Sequence, residues 1–95
     1  RAKRVGLLRS AAIALGNHPS ASGDISVGLT SLCRVLLDDE PVIRGAAAWA
    51  LGQWLRRIPE IATTIIDALE TRLADERDKT VRQEILSGMG MRKSE

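Results

Sequence analysis

The stretch PVIRGAAAWALGQW, residues 41–54, decides the fold. Ile43, Ala47, Ala50 and Trp54 follow one another at spacings of four, three and four, the period of an α-helix with one apolar stripe. Pro41 suits a first helical turn, where a missing N–H costs nothing. Asp38, Asp39 and Glu40 set negative charge at the positive end of the helix dipole. The stretch holds no hydroxyl, thiol, imidazole or carboxylate, and its one charge is Arg44. It announces packing and carries no chemistry of its own.

Working outward, four more helices are expected. The first covers about residues 4–16, with Val5, Leu8, Ala12 and Leu15 at helical spacing and Gly16–Asn17 as its stop. NHPSASGD, residues 17–24, reads as the one obvious loop. Asp24 caps a second helix with Ile25, Leu29, Leu32 and Leu36, ending in LDDE. After Pro59 a fourth helix carries Ile61, Ile65, Leu69 and Leu73. The turn ADERDK follows, and then a fifth helix with Val81, Ile85, Leu86 and Met89 that frays toward the charged end of the chain.

The central stretch has a weaker copy in LLRSAAIALGN, residues 7–17. Aligning Gly16, Gly52 and Gly90 gives intervals of 36 and 38 residues, with Arg44 and Arg82 each eight positions before their glycine. A helix–turn–helix unit is thus written about two and a half times, with repeats at 1–37, 38–75 and a partial 76–95. Each unit has one apolar face per helix and buries it by stacking on its neighbours. The expectation is an all-α, HEAT-like helical repeat of about five helices in one domain.

Composition agrees. The 95 residues are 44% hydrophobic, with no Phe or Tyr and only Trp49 and Trp54 as aromatics, so Leu, Ile, Val and Ala must build the core. Such a mixture favours helices over a sandwich or barrel. Cys33 is the only cysteine, which rules out an intrachain disulfide or a cysteine metal cluster and makes a cytoplasmic setting the default. No apolar run approaches the ~18 residues of a membrane span. The chain begins at Arg1 rather than Met, as expected of a piece of a longer protein.

The net charge is +2, and the excess is N-terminal: Arg1, Lys3, Arg4, Arg9 and Arg34 face a single acid, Asp24, before residue 38. Lys3, Arg4 and Arg9 have no acidic neighbours in sequence, so they read either as phosphate contacts or as a solvated face. Asn17 and His18 close the first helix beside the loop, where a binding residue and a plain helix cap are both tenable. Arg44 and Arg82 recur in register, which suggests pairing with turn carboxylates, Asp39 and Asp78 being the expected partners, although Arg44 also counts as a nucleic-acid candidate. Arg56 and Arg57 complement the C-terminal dipole of their own helix. Trp49, about a quarter turn off the apolar stripe, packs between repeats or stacks on a base. There is no Ser–His–Asp set, no phosphate loop and no HExxH, so no catalytic residue is assigned.

DDEPVIRGAAAWALG and, more loosely, DERDKTVRQEILSGMG resemble the short HEAT-like repeats of phycobilisome lyases and many bacterial proteins. GLLRSAAIALGN at 6–17, followed one repeat later by PVIRGAAAWALG at 41–52, also resembles the C-terminal part of bacterial epoxyqueuosine reductases. The match covers positions 6, 7, 9, 11–17, 44, 45 and 47–52. Leu8 stands where that family commonly has a basic residue, Ser10 where it has Asn, and Ala46 where it has His. This resemblance implies a parent oxidoreductase that reduces the epoxide of epoxyqueuosine in tRNA, the last step of queuosine biosynthesis, with a cobalamin and two [4Fe–4S] clusters. Iron–sulfur clusters need runs of cysteines, so both cofactors are expected in an upstream domain and none in this chain. The HEAT-like end is then expected to help hold the tRNA anticodon region through Lys3, Arg4, Arg9, Asn17 and Arg44. The competing expectation is a HEAT-like protein–protein interaction module of a lyase-type or regulatory protein.

Overall fold

The structure, a computed structural model, describes residues 2–90. Five α-helices follow in order: α1 (Ala2–Asn17), α2 (Ile25–Val35), α3 (Pro41–Arg57), α4 (Ala62–Asp75) and α5 (Lys79–Gly88). There are no strands among the described residues. The fold is all-α, as expected. The anticipated fraying at 91–95 lies outside the described residues.

The expected boundaries hold best where the sequence supplies a physical stop or start. Helix α3 begins at Pro41, and α2 begins after Asp24, whose carboxylate accepts the Ser26 backbone N–H at 2.9 Å. Asp78 caps α5 in the same way, accepting from the Val81 N–H at 3.0 Å. The expected loop at 17–24 is more regular than its composition suggests, because Pro19–Ser22 form one turn of 3-10 helix. A second such turn, Pro59–Ile61, leads into α4. In both turns the fixed φ of proline suits the first position.

Helix α3 is the hub. Ile43, Ala47, Ala48, Ala50, Leu51 and Trp54 are all 0% exposed, so the helix is buried on nearly every side. It packs most extensively against α1 and α5, and more lightly against α2 and α4. The result is two layers, α1–α3–α5 and α2–α4. The molecule measures 35 × 33 × 20 Å, its short dimension about two helix diameters. The remaining core comes from Ala12, Leu32, Leu36, Ile65, Leu69, Val81 and Ile85. Cys33 is half-buried, and burial pushes its thiol pKa up, in keeping with a small packing residue.

The layer α1–α3–α5 closes at its C-terminal end through small residues. A Cβ added to Gly16 would lie 2.5 Å from the Trp49 ring and 3.0 Å from Ala50 Cα. One added to Gly52 would lie 2.7 Å from Gly88 Cα. Gly88, not Gly90, is therefore the packing glycine of α5. Gly90 lies beyond the helix at φ +82°, in the left-handed conformation that follows the end of α5. The aligned glycines at 16, 52 and 90 thus share a sequence register but not a role.

Candidate functional site

The five residues expected to meet nucleic acid are not gathered in one patch. Lys3 and Arg9 are exposed on α1 and form no ion pair or hydrogen bond among the described residues. At 100° per residue they leave the helix in directions about 120° apart. Arg4 is exposed but not isolated: its guanidinium pairs with Asp38, which raises its pKa. Arg4 has no acidic neighbour in sequence, but the fold brings in a carboxylate 34 residues away. Asp38 is itself held below its ordinary pKa, first by the Glu40 backbone N–H and then by Arg4. Asn17 is exposed at the last position of α1, and its backbone carbonyl accepts from Arg57 at 2.7 Å.

Arg44 is committed to the interior. Its Nε and one terminal nitrogen donate to the two oxygens of Glu76, both at 2.8 Å. The other terminal nitrogen donates to the carbonyls of Asp38 at 2.8 Å and Asp39 at 3.0 Å. Its side chain is 14% exposed and that of Glu76 is fully buried. The expected partner was wrong: Asp39 supplies its carbonyl and Asp78 is occupied as a helix cap, while Glu76 supplies the carboxylate. Glu76 also accepts the Asp78 N–H at 3.1 Å and lies 3.3 Å from Arg72 Nε, which is buried without an aligned hydrogen bond. The Arg44 hydrogen bonds, followed by the Asp78 N–H and the charges of both arginines, hold the Glu76 pKa below its usual value against the effect of burial. Arg82 repeats the carbonyl half of this arrangement, donating to Leu73 at 2.9 Å and Glu76 at 3.0 Å.

A second set of bonds ties α3 to the end of α1. Trp54 Nε1 donates to the Leu15 carbonyl at 2.7 Å, and Arg57 to the carbonyl of Asn17. Arg57 therefore satisfies the C-terminal carbonyls of a neighbouring helix rather than those of its own. A sequence signal for Glu76 existed: it sits in the acidic turn one repeat after Arg44. Nothing local marked it above Asp75 or Asp78.

Over the N-terminal half of α3, away from the glycine contacts, a groove of about 510 Å³ opens between α1 and α5. Its floor is Pro41, Val42, Gly45, Ala46 and Trp49. Arg9 and Ile13 form one wall, and Asp78, Thr80, Val81 and Glu84 the other. Trp49 is half-buried, its ring edge against Gly16. No group of three or more His, Cys, Asp or Glu is placed to hold a metal ion among the described residues. No helix there is long and apolar enough to cross a membrane.

No family model matches the chain, and no solved structure matches it. The chain is 34% identical over 87 residues to an uncharacterised protein encoded in the 3′ region of gldA in Geobacillus stearothermophilus. The alignment takes in 90% of this chain but 35% of that relative's length.

Proposed function

We propose that this chain is a non-catalytic, HEAT-like module of an epoxyqueuosine reductase, a cytoplasmic oxidoreductase of tRNA queuosine biosynthesis, and that it helps hold the tRNA anticodon region. The observation that carries this reading is the likeness of two helices that neighbour each other in one layer, α1 and α3, to that family, in a scaffold whose α1 keeps Lys3 and Arg9 unpaired among the described residues. Rigid helices with unpaired cations suit a phosphate backbone, which rewards charge more than shape. The chain has one cysteine, so the [4Fe–4S] clusters and cobalamin belong to the rest of the parent enzyme. Arg44 supports the module from inside, through Glu76, and Arg4 is shared with Asp38, so Lys3 and Arg9 carry the phosphate contacts.

The test is a salt titration of binding to an unmodified tRNA with a GUN anticodon. Replacing Lys3 and Arg9 together by Ala is expected to lower the log–log salt slope by about 2, one for each lost phosphate contact. Binding unchanged by that replacement, or absent at low salt, sinks the reading. A second reading, a module that binds another protein, is favoured by the exposed apolar side chains of Leu7 (66%), Leu37 (63%) and Val42 (53%). It gains if a partner protein protects these residues and tRNA does not.

A further inference from the structure

The groove over α3 is lined by two opposite charges without a protein partner among the described residues. Arg9 stands on the α1 wall and Glu84 on the α5 wall. Neither forms an ion pair or hydrogen bond among the described residues, with each other or with anything else. Glu84 is half-buried and lines the groove together with Val81 and Trp49. Asp78 on the same wall has one oxygen engaged by the Val81 N–H. The wall of α5 therefore offers two carboxylates beside the Thr80 hydroxyl, the floor is apolar with one aromatic ring, and the wall of α1 offers a cation.

We infer that this groove binds a guanine nucleotide unit of single-stranded RNA, its base over the apolar floor against Trp49, its Watson–Crick edge toward Glu84 and a phosphate toward Arg9. The inference builds on the tRNA-holding reading and names the chemistry of one site within it. An ionised carboxylate accepts hydrogen bonds and cannot donate them. Guanine presents two adjacent donors on its Watson–Crick edge, N1–H and the N2 amino group, which meet the two carboxylate oxygens together. Adenine, cytosine and uracil each place an acceptor next to their donor, which the carboxylate repels. Single-stranded RNA is recognised in this way, through unstacked bases laid on aromatic rings and read at their edges. The groove volume falls within the range of small-ligand sites. Gly45 and Ala46 keep the floor low: the nearest atom to a Cβ added at Gly45 is Val81 Cγ2 at 3.9 Å.

The experiment is an NMR titration of the protein with guanosine 5′-monophosphate, followed at the two indole N–H signals. Trp54 donates its N–H to the Leu15 carbonyl inside the core and serves as the internal control. The Trp49 signal is expected to shift while that of Trp54 stays, with adenosine and uridine monophosphates binding about tenfold more weakly, the scale of one bidentate edge contact. Glu84→Gln is expected to abolish this preference. Arg9→Ala should weaken the monophosphate but leave guanosine unchanged. Both changes are at side chains without partners, so the fold is retained, which the Trp54 signal reports. Equal affinity for the three nucleotides, or no Trp49 shift at millimolar ligand, overturns the inference. A Trp49 shift that follows protein concentration instead would show a second copy filling the groove, and overturns it as well. Loss of tRNA binding in Lys3→Ala with the guanosine response intact separates the two ideas, as does tRNA binding that survives Glu84→Gln with no guanosine response.

Discussion

Glu76 shows how much one buried residue can hold. Its carboxylate joins Arg44 of α3, Arg72 of α4 and the Asp78 N–H ahead of α5. Glu76→Ala strands two largely buried guanidinium groups, and a loss of about 3 kcal/mol is expected in urea unfolding, the usual scale for breaking a buried pair. The pH dependence follows from the direction of the shift. The native pKa lies below the ordinary value of 4.5, so the stabilisation is present above that pH and is lost as pH falls through the native value. Asp38 and Asp24 are shifted the same way. Glu76→Gln should therefore be less stable at neutral pH and show a flatter acid limb; an unchanged acid limb would assign the acid transition to the other carboxylates. The sequence marked Arg44 as a pairing residue through its recurrence at Arg82, but it named the wrong carboxylate. Repetition shows that a position matters, whereas the partner depends on which turn the stacking brings near.

Helix α3 contains two glycines with opposite expected responses. Alanine in a helix interior is ordinarily favoured over glycine by about 1 kcal/mol. At Gly45 the added methyl meets its nearest atom at 3.9 Å, so Gly45→Ala should stabilise by about 0.5–1 kcal/mol. At Gly52 the same methyl would lie 2.7 Å from the Gly88 backbone, so α5 must move away. Gly52→Ala should destabilise by about 1–3 kcal/mol despite its better propensity. Thermal melting of the two variants checks the pair, and a gain at Gly52 would mean that the α3–α5 contact is not tight. The elements themselves were legible from periodicity and from Pro41, Asp24 and Gly16. The identity of the packing glycine in α5 was not, since Gly88 and Gly90 differ only in whether the helix has ended.

Across the whole molecule, α3 joins the layers, and its last turns fasten α1. Arg57→Ala removes the donor from the Asn17 carbonyl and should speed amide exchange in the last turn of α1 without changing that of α5. Trp54→Phe leaves the Leu15 carbonyl unsatisfied and should cost about 1–3 kcal/mol in global stability. Uniform exchange changes in both variants would show that the molecule opens as a single unit.

What the sequence by itself determined was the helical class, the helix over residues 41–54, the starts of α2 and α3 and the apolar stripe Ile43–Ala47–Ala50–Trp54. These depend on local spacing and on caps within a few residues, where the physics is short-ranged. Only the tertiary structure decided that Arg4 meets Asp38, that Arg44 meets Glu76, that Arg57 serves α1, and that Arg9 and Glu84 face one groove. Each of these joins residues more than 30 positions apart, and stacking sets such distances through the close approach of small residues, which no local pattern records.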